Sequence, residues 1–288
     1  MASKARYINV RGNLMDLSVP KVMGIINVTP DSFHKASRFT KDEEIVGAAA
    51  RMIEDGADIL DIGGYSSRPG AQNITPLEER KRVIGALKLV SKELPDAVIS
   101  IDTFRAEIAM EAVLEFGAGI INDITGGDAD TQMFDVIKKL QVPYVMMHMK
   151  GVPWNMEMHP VYDDVVADIL RWFGDRVTRL QSMGVNDIII DPGFGFGKTI
   201  SHNFEILHKL SDFSITGLPV LIGISRKSMI WKTLKITPAK ALNGTAVLNT
   251  IALMNGADIL RVHDVKEAVQ AVKLTEELKK QTHSTFPL

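Results

Sequence analysis

The chain contains no cysteine, which excludes disulfides, thiolate zinc sites, iron–sulfur clusters and cysteine nucleophiles. It carries no strong charge of either sign: 33 Lys and Arg against 35 Asp and Glu leave a formal charge of −2. Proteins that hold nucleic acid mainly by phosphate attraction are more basic, so no nucleic-acid partner is expected. Long apolar runs are missing too. The most apolar stretch, 241–260, is interrupted by Asn243, Asn249, Asn255 and Asp258, so no membrane span is expected there. The opening segment MASKARYINVRGNLMD holds no apolar core of signal-peptide length, and a cytoplasmic protein is expected. Low-complexity tracts, charge blocks and Pro/Ser-rich linkers are absent, so nothing marks an internal domain boundary.

What is present is an ordinary core-forming composition. The 288 residues are 45% hydrophobic, with mean hydropathy +0.06, enough to bury a full core. One phrase recurs: EDGADILDIGG at 54–64 and MNGADILRVHD at 254–264, with looser echoes at 115–124 and 183–193. In each, a helical pattern ends at a glycine suited to a left-handed cap, and a short run apolar on both faces follows. Eight strand candidates follow from this reading: 22–28, 58–63, 98–103, 119–124, 144–149, 187–191, 219–225 and 258–263. Amphipathic segments separate them; 81–92 aligns Val83, Leu87 and Val90, with Leu94 beyond, on one stripe. Thr40-x-x-Glu43, Thr75-Pro-x-Glu78 and Asp264-x-x-Glu267 fit capping boxes, and Thr237-Pro238 fits an N-cap followed by Pro.

Eight strand–helix alternations in this length predict an α/β fold: a single closed (β/α)8 TIM barrel over residues 1–288, with an open doubly wound sheet as runner-up. Residues 1–20 form an N-terminal extension, in which YINV-RGN-LMDL reads as a short β-hairpin plugging the barrel bottom. A barrel places its chemistry at the C-terminal strand ends. Those ends are polar throughout: Asn27, Asp61, Asp102-Thr103, Asn122-Asp123, His148, Asp191, Ser225-Arg226-Lys227-Ser228 and Arg261-Val262-His263. A lone Asp there is more often a helix cap, the role expected of Thr103, Asp128 and Asp264. Polar groups on nearly every strand end describe a site instead.

The run Gly193-Phe-Gly195-Phe-Gly197-Lys198-Thr199 is not a P-loop, because Pro192 stands where that motif needs glycine. It reads as a tight loop that brings backbone and Phe rings against a flat ligand. His148, His159, His202, His208 and His263 form no metal-ligating pair. His202 and His208 read as residues of a solvated helix, and Met146, Met147 and Met149 as barrel core. Arg68, Arg226, Lys227, Arg261 and His263 all fall at strand ends of a slightly acidic chain. Cations focused into one mouth indicate an anionic, phosphorylated substrate. Asp102 and Asp191, with Asn122, offer acceptors and a donor to a heterocycle with N–H and carbonyl edges.

These residues resemble the dihydropteroate synthase family. The matching segments are MGIINVTPDSF (23–33), DIGGYSSRPGA (61–71), SIDT (100–103), NDI (122–124), DPGFGFGKT (191–199), GISRKSM (223–229) and RVHDV (261–265), in the family's order. The resemblance implies a pterin-binding (β/α)8 barrel that condenses 6-hydroxymethyl-7,8-dihydropterin pyrophosphate with 4-aminobenzoate. It implies that Asp102, Asn122, Asp191 and Lys227 grip the pterin, with Met147 and Val262 also among the substrate-binding residues. Ser67, Arg68, Arg261 and His263 would hold the diphosphate, and Phe33, Pro69, Phe196, Lys227 and Ser228 would shape the aminobenzoate slot. The resemblance further implies that Asp102, Lys227, Arg261 and His263 form the catalytic set, that Asn27 is the ligand of a Mg2+ cofactor, and that the assembly is a homodimer. Two segments depart from the family pattern: His34-Lys35-Ala36-Ser37 where Ser-Asp-Gly-Gly is common, and Tyr65 where an acid is common. No role is carried onto Tyr65. A pterin-dependent methyltransferase and a catalytically silent pterin-binding relative are the alternatives; the first has no use for the diphosphate cations.

Overall fold

The computed structural model describes residues 7–28, 38–66, 73–151 and 160–282. After a hairpin of β1 (Tyr7–Val10) and β2 (Asn13–Asp16), eight parallel strands alternate with helices. The strands are β3 (Lys21–Asn27), β4 (Ile59–Gly63), β5 (Ile99–Asp102), β6 (Ile120–Asp123), β7 (Tyr144–Met147), β8 (Ile188–Asp191), β9 (Leu221–Ile222) and β10 (Ile259–Val262). The helices are α1 (Arg38–Glu54), α2 (Pro76–Glu93), α3 (Ala106–Phe116), α4 (Met133–Leu140), α5 (Val165–Ser182), α6 (Ile200–His208), α7 (Ser228–Thr233), α8 (Leu242–Met254) and α9 (Val265–Thr282).

The sheet runs β8-β7-β6-β5-β4-β3-β10-β9. A parallel bridge between Ile190 and Val220, with Ile190 N–H donating to Pro219 O at 2.9 Å, joins its two ends. The barrel is therefore closed, and the open-sheet alternative is ruled out. All eight strand expectations hold; most lose a residue or two at their ends, and one contracts much further. The run 219–225 keeps only two ladder residues, because the chain turns after Ile222 and Lys227 N–H bonds back to Ile224 O at 3.0 Å.

Strand parity divides the core. Outward residues such as Leu60, Ile62, Ile101, Ile121, Ile190 and Leu260 pack under the helices. Inward residues Met23, Ile59, Ile120, Val145, Ile189, Leu221 and Ile259 fill the bottom layer together with Ile8, Val10 and Leu17. The hairpin does plug the barrel bottom: it turns at Arg11 and Gly12, whose φ values are +54° and +83°, and presents Ile8 and Val10 to the interior. One residue pair further along, the interior switches from apolar to polar on β4, β5, β6 and β10, because Asp61, Ser100, Asn122 and Arg261 occupy the next inward positions, while Ile25 and Met147 keep β3 and β7 apolar there.

The repeated Gly-Ala-Asp phrase proves to be a fold device. Gly56 and Gly256 end α1 and α8 at φ +98° and +97°. Two residues later the carboxylates of Asp58 and Asp258 accept the N–H of the neighbouring strand, from Val22 at 2.8 Å and Val220 at 2.7 Å. A helix stop and a strand-start anchor are thus written in three residues.

The caps agree in part. Thr75 Oγ1 accepts from Glu78 N–H at 3.2 Å, as expected. Thr40 lies inside α1 rather than at its start, and Thr237 precedes only a short 3-10 turn, Pro238–Lys240. The three further caps fare differently: Thr103 Oγ1 accepts Arg105 N–H at 3.2 Å just ahead of α3, Asp264 stands directly before α9 with its backbone O accepting Ala268 N–H at 3.2 Å, and Asp128 falls short of α4, whose N-cap is Gln132. Thr103 donates to Glu79 Oε1 at 2.6 Å, Asp128 pairs with Arg176 at 2.5 Å, and Asp264 pairs with Arg226. Each of these side chains also finds a charged partner on another element, which ties its turn to the rest of the barrel.

Candidate active site

The C-terminal strand ends converge as the barrel requires. Register places Asn27 beside Gly63, Gly63 beside Asp102, Asp102 beside Asn122, and Met147 beside Asp191. At the centre stands Arg261. Its Nε–H donates to Asp61 Oδ2 at 2.6 Å and its Nη2 to Asp102 Oδ2 at 2.6 Å. Asn122 Nδ2 donates to the same Asp61 oxygen at 3.0 Å. The two carboxylates hold the guanidinium firmly charged, overcoming the burial that opposes it.

Burial pushes the Asp102 carboxyl up to about 7, against the pull of Arg261 and aided by the charges of Asp61, Glu79 and Asp123. Asp191 is raised as well, by burial, with Lys227 and the Gly193 N–H opposing. Lys227 moves the other way: burial pulls its ammonium down to about 8, with Asp191 opposing. The mouth therefore holds one carboxylate, Asp102, and one ammonium, Lys227, poised near neutrality, a pattern typical of binding and catalytic clefts. Lys227 Nζ donates to Phe194 O and sits 4.5 Å from the centre of the Phe196 ring.

The glycine loop owes its shape to a buried lysine. Gly193, Gly195 and Gly197 all have positive φ, and a Cβ on Gly193 would lie 1.9 Å from His148 O. Beneath them Lys198 Nζ donates to His148 O at 3.1 Å, Gly193 O at 3.0 Å and Phe196 O at 3.0 Å, and meets His148 Nδ1 at 3.0 Å. Burial holds the Lys198 ammonium well below its usual range. His148, buried beside this cation, falls to about 2 and stays neutral. It supports the loop from below and takes no ligand-facing part. Phe194 is fully buried, whereas Phe196 packs against Phe104, Ile124, Met147 and Met149 at the mouth, forming an apolar wall with Tyr65.

His263 N–H donates to Ser225 Oγ at 3.2 Å, and its Nδ1 lies 3.1 Å from the same hydroxyl. This clamp fixes the ring beside Arg261. Ser228 opens α7 next to Lys227.

Two expectations are corrected. Arg226 does not join the cation cluster: its guanidinium forms two bonds to Asp264, at 2.9 and 2.7 Å, and others to Pro238 O and Ala239 O. It staples the turn after β9 to α9. Val262 points its side chain into the outer core, because it alternates with inward Arg261; only its backbone can meet a ligand. Phe33, Ser67, Arg68 and Pro69 lie outside the described residues. Among the residues that sequence reading left without a role, Asp61, Lys198 and Glu79 are the most consequential. Glu79 is fully buried and receives both Thr103 Oγ1 and Arg105 Nε, at 2.6 and 2.7 Å, fixing the turn after β5. Asp61 was visible as an acid in an Ile/Leu strand, sharing its inward parity with Ile59 and Gly63.

Among the described residues no group of three His, Asp or Glu forms a metal cluster. A family model described as pterin binding enzyme matches residues 23–263. The dihydropteroate synthase of Escherichia coli strain K12 is 41% identical over 268 residues, 92% of this chain and 94% of its own. The solved structure of Xanthomonas albilineans dihydropteroate synthase with 4-aminobenzoic acid is similar at TM-score 0.88 and 37% identity, covering 96% of this chain and 99% of that one. The same organism's enzyme in complex with 7,8-dihydropteroate gives TM-score 0.85 and 35% identity over 95% and 99% of the two chains.

Proposed function

Because the chain belongs to the dihydropteroate synthase family, we propose that its barrel mouth joins 6-hydroxymethyl-7,8-dihydropterin pyrophosphate to 4-aminobenzoate, yielding 7,8-dihydropteroate and pyrophosphate. The observation that carries the residue assignment is the span of Arg261 across Asp61 and Asp102, with Asp191 and Lys227 completing the ring. Carboxylates and cations stand side by side, as a ligand with both N–H donors and an anionic tail requires.

In this reading Asp102 and Asp191 accept N–H groups of the pterin, Asn122 supplies a carbonyl oxygen, and Lys227 donates to a ring acceptor. Met147 and Phe196 pack on the flat ring system and the aminobenzoate. Arg261 and His263 hold the diphosphate, with Ser67 and Arg68 assigned to the same anion. Phe33, Pro69 and Ser228 are assigned to the aminobenzoate slot. The C–O bond to the diphosphate breaks with its electron pair leaving on oxygen; the amine lone pair forms the new C–N bond and the amine proton passes to solvent. Arg261 and His263 stabilise the charge that grows on the leaving group, while the Asp102 carboxylate offsets positive charge on the pterin. A neutral arylamine needs no strong base.

Asn27 ends β3 at an inward, half-buried position beside Gly63. A single amide oxygen there fits Mg2+, which keeps waters and takes its other ligands from phosphate. The ion, when bound, supplies Lewis-acid stabilisation of the diphosphate.

The same reading takes 1–288 as one catalytic domain with residues 1–20 as an extension, working in the cytoplasm; no described helix is long and apolar enough to cross a membrane. It also takes the protein as a homodimer. Val247, Ile251 and Met254 on α8 and Leu274 and Leu278 on α9 are exposed apolar residues on two adjoining helices, a face that a second copy would cover. Sedimentation at monomer mass would remove the dimer.

The direct experiment incubates the protein with the pterin pyrophosphate, 4-aminobenzoate and Mg2+. Pyrophosphate and dihydropteroate should appear in equal amounts, and both should stop on chelation. Intact substrate after prolonged incubation contradicts the synthase reading; a rate indifferent to chelation removes Asn27 as a metal ligand.

A further inference from the structure

Asp61 shares the polar floor of the mouth with Asn122 and Arg261, two of the groups assigned to the ligand. Its side chain is fully buried, and burying a carboxylate costs several kcal/mol unless its bonds repay it. Those bonds are unusual in their destination. Oδ2 accepts from Asn122 Nδ2 and from Arg261 Nε, both residues of the mouth. Among the described residues Oδ1 has no hydrogen-bond partner, and neither has Ser100 Oγ, its register partner on β5. Among the described residues no hydrogen bond of this carboxylate goes to the backbone or to a helix; both bonds end on side chains of the mouth.

Each of its two bonds has a consequence above it. A carboxylate only accepts, so Asn122 must turn its NH2 toward Asp61 and its Oδ1 away. The amide, ambiguous by itself, then presents an acceptor to a ligand N–H. Arg261 has its Nε–Nη2 side edge committed to Asp61 and Asp102, which leaves its end-on edge for an anion. Removing Asp61 would free the amide to flip and the guanidinium to swing.

We propose that Asp61 is a positioning residue for the condensation: acting through Asn122 and Arg261, it fixes an acceptor toward the pterin and the end-on guanidinium edge toward the departing diphosphate. This assignment rests on the reaction proposed above.

The test uses the full chain and a double-mutant cycle. Asp61→Asn preserves shape and removes the charge; it should lower kcat about 30-fold while the KM for 4-aminobenzoate stays within about threefold. In an Arg261→Lys background, where the partner fork is already gone, the same change should cost less than about threefold. A purely structural role would instead give equal losses in both backgrounds. Equal losses, or a kcat for Asp61→Asn within about twofold of the parent, overturn the proposal. Should Asp61→Asn fail to fold, Asp61→Ser carries the same cycle. Calorimetric titration with inorganic pyrophosphate separates this proposal from the reaction itself. A parent chain that binds pyrophosphate about tenfold tighter than Asp61→Asn, yet makes no dihydropteroate, refutes the reaction and retains the positioning role. Equal pyrophosphate affinities refute the positioning of Arg261.

Discussion

Arg261 and Asp61 meet at 2.6 Å across 200 positions of sequence. The contact exists because the barrel closes. β10 and β4 both pair with β3, one on each side, so their inward residues face one another over Met23 and Ile25. The same guanidinium reaches Asp102 on the next strand. The polar floor of the mouth is therefore a product of strand order and parity, with each side chain held by a neighbour remote in sequence.

The first consequence is a pH dependence of ligand binding. Asp102 must be ionised to accept an N–H, and burial sets its carboxyl near 7. Lys227 must be protonated to donate, and burial sets its ammonium near 8. Affinity for 6-hydroxymethyl-7,8-dihydropterin, which has no phosphate of its own to titrate, should peak between these values. It should fall by up to about tenfold per pH unit on either side. A flat titration from pH 5 to 9 would remove both residues from the ligand.

His148 supplies a stability prediction. Its folded-state value of about 2 lies below the ordinary 6.5, so between these the unfolded chain binds the extra proton. Stability contributed by neutral His148 is then present above about pH 6.5 and is lost as the pH falls, at up to about 1.4 kcal/mol per unit. His148→Gln should flatten the pH 4–6 slope of chemical-denaturation stability by one proton. An unchanged slope contradicts the buried neutral state.

Gly193 tests the loop. Its φ of +72° and the 1.9 Å approach of an added Cβ to His148 O forbid alanine without movement. Gly193→Ala should cost about 3 kcal/mol or more in stability, or else displace the loop and with it the Lys198 bonds. A variant with parental melting temperature and activity would show that the loop tolerates a side chain there.

Much of this fold was legible in sequence because parallel strands are apolar on both faces and five of the eight are preceded by a glycine stop, at Gly56, Gly117, Gly184, Gly217 and Gly256. The mouth was legible as a set of polar strand ends, and Asp102, Asn122, Asp191 and Lys227 do gather there. What sequence concealed was pairing. Arg226 reads as one cation among several until Asp264, which reads as a helix cap, is found beside it. Lys198 looks like part of a phosphate loop until its ammonium is found among carbonyls, turned inward. Asp61 offered its parity but not its partners, since Arg261 and Asn122 reach it only across the closed barrel. Val262 was included with its neighbours in a motif, and strict alternation turns it outward.

The central claim is that the Asp102–Asn122–Asp191–Lys227 ring holds the pterin for condensation with 4-aminobenzoate. Its most direct test is dihydropteroate formation by Asp102→Asn and Lys227→Ala, with circular dichroism to confirm the fold. The account predicts a loss in kcat/KM for the pterin pyrophosphate of about 100-fold or more in each, near 3 kcal/mol of transition-state stabilisation. Folded variants that retain kcat/KM within about threefold of the parent would contradict it.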